Sequence, residues 1–150
     1  MKEDMYMPAL WAGLASGFLS GFPLFSLGNC LCCLWIVGGG VLASYLYQRR
    51  RGDRISSADG MMVGAMAGLV SSLLATVLDM VFAYWSRDLI LKILEAYGAE
   101  ASPLLNYQSY FTPRGFASTL LIRIVIFSLF ASIGGALGAA AFKPKAYGHN

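Results

Sequence analysis

Three cysteines in four residues, Cys30, Cys32 and Cys33, are the side chains best suited to do chemistry. Cys30 and Cys33 form a C-x-x-C pair, spaced for one face of a helix. Asn29, just before them, is a residue type that caps helix starts. Thiols in a first helical turn sit at the positive end of the helix dipole, which favours the thiolate. That setting permits thiol–disulfide exchange. Three thiolates could also hold a metal, but no histidine stands nearby to complete a zinc set. Packing or a structural disulfide is the expected use.

Asp79 and Arg123 are the other outliers, because both fall inside apolar stretches. An ionisable residue within a span is a functional candidate by default. Asp79 lies six residues before Trp85, roughly 9 Å along a helix, and Arg123 eight residues after Gly115, roughly 12 Å. The two helices run antiparallel, so the charges are expected to meet in an intramembrane ion pair. Snorkelling of Arg123 towards the interface is the next reading. A proton or ion relay is the third, and it would need more charged steps. The single histidine, His149, lies in a polar tail, which argues against a histidine-ligated haem in the bundle. The chain has no Ser-His-Asp set, phosphate loop or paired carboxylates. No cofactor or metal is expected, and enzyme activity is not the favoured reading.

The elements that must position these residues are membrane helices. Apolar residues make up 57% of the 150 residues and charged ones 13%, about half the charged share of a soluble domain. Residues 31–47, 60–78 and 124–142 carry no charge at all. Such runs are transmembrane candidates. A soluble bundle would need a polar stripe on each helix, and these runs have none. The expected fold is all-α: one transmembrane domain over 1–150, an integral membrane four-helix bundle. Its spans are expected at about 8–27, 30–47, 58–85 and 113–142. Pro8 suits a first helical turn, Pro23 should kink or end the first helix, and Ser56 with Asp59 forms a capping-box pattern for the third. The second helix should stop at Tyr47, before Arg49, Arg50 and Arg51.

Residues 86–112 read differently. Leu89, Ile90, Ile93 and Leu94 recur at helical spacing opposite Arg87, Asp88, Lys92 and Glu95. This predicts a separate amphipathic segment on the membrane surface. With both termini inside, the inner face holds Lys2, Arg49, Arg50, Arg51, Arg54, Lys143 and Lys145, and the outer face only Arg87, Lys92 and Arg114. The positive-inside rule therefore places both termini in the cytoplasm, in a bacterial inner membrane, with the cysteines outward. Tyr45 and Tyr47 should form the inner aromatic belt, and Trp85, Tyr107 and Tyr110 the outer one. The basic residues lie at membrane edges without interleaved aromatics, so no nucleic acid is expected as a partner.

The chain also reads as two copies of one hairpin. A shift of 51 lays Gly13, Gly17 and Ser20 on Gly64, Gly68 and Ser71, and a shift of 95 lays Gly39, Gly40 and Leu42 on Gly134, Gly135 and Leu137. Both copies start on the same side, which predicts parallel repeats about an axis along the membrane normal. Gly13, Gly17 and Gly21, Gly64 and Gly68, Gly40 and Ser44, and Gly134 and Gly138 form small-xxx-small stripes. In lipid such stripes bring backbones close enough for dispersion to hold helices together. Larger residues, among them Phe18, Phe22, Phe25, Phe82, Phe127 and Phe130, should then point outward.

In outline the chain is similar to four-helix membrane thiol oxidases, which carry C-x-x-C at a helix start and an outer amphipathic segment. Those enzymes use a second, relaying cysteine pair, and this sequence has no fourth cysteine. The run Gly17-Phe18-Leu19-Ser20-Gly21-Phe22-Pro23, then Asn29-Cys30-Leu31-Cys32-Cys33-Leu34-Trp35, Gly38-Gly39-Gly40 and Gly134-Gly135 resembles a group of small uncharacterised bacterial four-helix membrane proteins. That resemblance covers the four spans, implies the same topology, and brings no activity with it. The expected function is a scaffold or accessory subunit that binds the lipid bilayer and either copies of itself or other membrane subunits. The alternatives are a thiol–disulfide oxidoreductase using Cys30 and Cys33, or a small transporter or channel.

Overall fold

The computed structural model describes residues 3–21, 34–96 and 112–142, with the backbone alone for residues 3, 83 and 85–96. A 3-10 turn, Glu3–Met5, leads into α1 (Tyr6–Gly21), followed by α2 (Leu34–Arg51), α3 (Ser57–Ala96) and α4 (Pro113–Ala141). These four helices form an all-α bundle. α1 packs on α2 and α3, α4 packs on α2 and α3, and α2 touches α3 across the middle. α1 and α4 occupy opposite corners and barely meet.

Local chemistry sets most helix ends. Gly52, at φ 70°, follows α2 in the left-handed conformation and donates its N–H to Gln48 O at 2.9 Å. Glycine adopts that backbone without the penalty a Cβ brings. α2 therefore runs on to Arg51 rather than stopping at Tyr47. At the start of α3, Ser56 Oγ accepts from Asp59 N at 3.1 Å and pairs with the Asp59 carboxylate at 2.9 Å. At α4, Thr112 Oγ1 accepts from Gly115 N at 3.1 Å, and Pro113 takes the first helical position. Proline suits that position because its missing N–H would have had no partner there.

α3 departs most from expectation. It is a single helix of 40 residues, with no break at Ser86 where a separate surface segment was expected. The remainder of that segment, 97–111, lies outside the described residues. So do residues 22–33, which include Phe22, Pro23, Phe25 and all three cysteines.

The distribution of side-chain size is inverted relative to a soluble protein. The buried set is dominated by small residues: Ala9, Ala12, Ala43, Ala67, Ala75, Ala131 and Ala139, with Ser44, Ser71 and Ser72. Trp11, Tyr84, Leu121, Ile122, Val125 and Leu129 are more than half exposed. A belt of that kind would be an association hazard in water and is the normal exterior in lipid. Two helices, Ser57–Phe82 and Pro113–Ala141, are long and apolar enough to cross a membrane. Two aromatic placements differ from expectation. Tyr47 is wholly buried and receives a hydrogen bond from Arg51, so it is no belt residue. Phe127 is buried with Ile36, Ala75 and Ala131, while Phe18 and Phe130 do face outward.

Candidate functional site

The closest approaches in the bundle are backbone to backbone and cluster where α2, α3 and α4 converge. A Cβ at Gly40 would collide with the carbonyl of Ala131, and one at Gly64 with the same carbonyl. One at Gly135 would strike Gly60 O, and one at Gly134 would strike Val37 O. One at Gly68 would stand 2.6 Å from Phe127 O. Among these residues only hydrogen fits between the helices. Gly60 and Gly135, not singled out in the stripes above, belong to the same contact. Gly60-x-x-x-Gly64-x-x-x-Gly68 and Gly135-x-x-x-Ala139 were the readable signal.

Two polar side chains join the helices at this point. Ser44 Oγ, fully buried on α2, donates to Gly135 O on α4 at 2.7 Å and lies 3.4 Å from Gly60 O on α3. One turn on, Gln48 Nε2 donates to Ala139 O at 3.3 Å. Gly135 O lies inside α4, so its bond from Ser44 uses the carbonyl's second lone pair, whereas Ala139 O is one of the last four carbonyls of α4, which lack an intrahelical partner, and Gln48 supplies one. Sequence reasoning placed Ser44 in a packing stripe and missed its hydroxyl, and it missed Gln48 altogether. A polar residue one turn after a small-residue stripe, just before the basic run, was the available hint.

The α1/α3 contact is built differently. Gly13 faces Ala67 and Val70, Gly17 faces Ser71 and Leu74, and Gly21 faces Ala75 and Leu78. Each partner lies 54 or 57 positions on, not the 51 that aligns the sequences. The α2/α4 partners, by contrast, straddle the shift of 95: Gly40 with Ala131, Val37 with Gly134, Ser44 with Gly138. A twofold along the membrane normal would keep matched residues level. α1 and α3 are instead displaced by about one turn, so a strict twofold does not relate the two hairpins. Ser16, which faces Gly39 of α2, and Thr76 keep their hydroxyl bonds within their own helices. Ser16 Oγ donates to Ala12 O at 2.9 Å and Thr76 Oγ1 to Ser72 O at 2.7 Å. Ser20 and Ser71 have buried hydroxyls without a partner among the described residues.

Asp79 on α3 and Arg123 on α4 are brought together as an ion pair through Oδ2 and Nη2. The pair sits on the bundle surface, with Arg123 29% and Asp79 42% exposed. It joins α3 to α4 towards the end opposite the arginines of α2. Of the remaining sequence candidates, Gly138 meets Val41 and Ser44, and Cys30, Cys32 and Cys33 lie outside the described residues. What this arrangement of glycines, amides and one ion pair does chemically is to hold helices in register.

The sequence model of one family, described as the MJ1491 transmembrane domain, matches residues 6–144. No curated protein and no solved structure matches the chain.

Proposed function

The chain belongs to the MJ1491 transmembrane-domain family, and from that premise we propose that it is a small multi-pass scaffold or accessory subunit, which oligomerises or sits in a larger membrane complex. In this reading α1 and α2 cross the bilayer beside α3 and α4. Their exposed Leu10, Leu14, Phe18, Leu34 and Leu42 support that.

The observation that carries the proposal is the reach of α3. Its pairing with α4 takes Gly60 to Gly135, Gly64 to Ala131 and Gly68 to Phe127. Carried along both helices, that register brings Pro113, the first residue of α4, level with Phe82. α3 continues from there to Ala96, about 21 Å further at 1.5 Å per residue. Leu89, Ile90, Ile93 and Leu94 on this extension recur at the spacing of a docking face. The convergence of Gly40, Gly64, Ala131 and Gly135 along the bundle axis also favours an interaction role over conduction. Backbones in contact there leave no room for an ion or solute.

Replacing residues 86–109 by a short Gly-Ser linker tests this. The spans should still insert, while copurification with partners or with further copies in mild detergent should be lost. Unchanged assembly would overturn the scaffold reading, as would a lone monomer that carries an ion or solute across liposomes.

A further inference from the structure

The arginine run at the end of α2 splits into two uses. Arg51 is turned inward: its Nη1 donates to Tyr47 Oη at 3.4 Å, and its guanidinium lies 5.6 Å from the Tyr47 ring centroid. Arg49 and Arg50 are exposed and have no hydrogen-bond or ion-pair partner among the described residues. Both instead line a cavity of about 360 Å³ between α1 and α2, together with Met7, Pro8, Trp11 and Leu46.

The helical period makes this one site. Leu46 lies three and four residues before Arg49 and Arg50, and Met7 and Pro8 lie four and three before Trp11, so each helix presents a single patch. The lining is divided by chemistry. Two guanidinium groups stand at the bundle's end, and four apolar side chains, one of them an indole of the kind that favours membrane interfaces, form the rest. Among the described lining residues there is no carboxylate to neutralise the arginines.

We propose that this cavity seats the headgroup phosphate of an anionic phospholipid, with the glycerol and upper acyl chain against Trp11, Leu46 and Met7. Guanidinium forks match phosphate oxygens. A free phosphate would satisfy the arginines and leave the apolar wall unused. A zwitterionic lipid would bring a quaternary ammonium towards two cations. An anionic diester with attached hydrocarbon satisfies both halves of the lining. Basic pockets between spanning helices at a membrane edge hold such lipids.

The test uses the full chain, delipidated in detergent and titrated with phosphatidylglycerol, phosphatidylcholine or inorganic phosphate at equal concentration and constant ionic strength. Bound lipid is counted by native mass spectrometry. Phosphatidylglycerol should bind in preference to phosphatidylcholine, and the double change Arg49→Gln/Arg50→Gln should weaken its binding about 30-fold, on the usual worth of two interfacial arginines. Arg49→Lys/Arg50→Lys should retain most of the preference, and Arg54→Gln, outside the cavity, should lose no more than about fivefold, the general worth of one arginine near the surface. Equal uptake of the two lipids would overturn the proposal. An equal loss in Arg54→Gln would do so too, because it would assign the effect to general charge. Displacement of the lipid by inorganic phosphate would make the site one for a free anion.

Discussion

The two parallel seams of the bundle solve the same problem by different means. At α2/α4, glycines face carbonyl oxygens, the pairing straddles one sequence shift, and Ser44 and Gln48 carry hydrogen bonds from helix to helix. At α1/α3, Gly13 and Gly17 face the carbonyls of Ala67 and Ser71 at 2.6 and 2.9 Å, Gly21 faces the Leu78 side chain, and the pairing is displaced by about one turn. One seam is locked by backbone shape and directed polar bonds. The other is looser: its backbone approaches at Gly13 and Gly17 are less close, and at Gly21 the nearest obstacle is a side chain that can give. Glycine content alone does not distinguish them. What lies opposite each missing Cβ, and how near, does.

The largest effect should come from breaking the locked seam. Gly40→Ala puts a methyl group against the Ala131 carbonyl, an obstacle that cannot rotate away. The helices must part, and the loss should reach at least about 3 kcal/mol, the upper range of overpacking costs. Unfolding in mild detergent would measure it, and a loss below about 1 kcal/mol would refute the contact.

Next is the clamp between the antiparallel helices α3 and α4. Asp79→Ala and Arg123→Ala should each cost about 1–2 kcal/mol, less than a charge isolated at the bilayer centre because the pair is partly exposed. The double variant should cost less than the sum, since removing both leaves no unpaired charge. Strict additivity in the same unfolding assay would show that the two side chains do not interact.

The smallest effect should come from the Gly21 end of the α1/α3 seam. At Gly21 a Cβ would meet Leu78 Cβ at 2.8 Å and Cδ1 at 3.0 Å. Part of that obstacle is a side chain with other rotamers, so Gly21→Ala should cost about 1 kcal/mol, the low end of overpacking. Gly38→Ala, with nothing within 4 Å, calibrates the series. If Gly21→Ala were as damaging as Gly40→Ala, the distinction between the seams would fail.

Features set by neighbouring residues were legible before the structure. The Ser56–Asp59 cap, the start of the fourth span at 113 and the small-residue stripes all lie within one or two helical turns. Features that depend on what ends a helix, as opposed to what ends an apolar run, were harder. α2 was expected to stop at Tyr47 because charge begins there, but charged residues are good helix formers and only Gly52 stops the backbone. α3 was expected to end near Trp85 because composition turns amphipathic. Yet no glycine or proline occurs between Gly68 and Gly98, so nothing local interrupts the helix. The inward turn of Tyr47 and the burial of Phe127 depend on which face each helix gives its neighbours, which periodicity in an all-apolar segment does not mark.

The unbroken length of α3 also makes it a lever. It is held to α4 at Gly60, Gly64 and Gly68 and by the Asp79–Arg123 pair, and from Asp79 to Ala96 the arm beyond those ties is about 26 Å long at 1.5 Å per residue. A tilt of about 5° beyond the ion pair would carry the tip sideways by about 2 Å on that length.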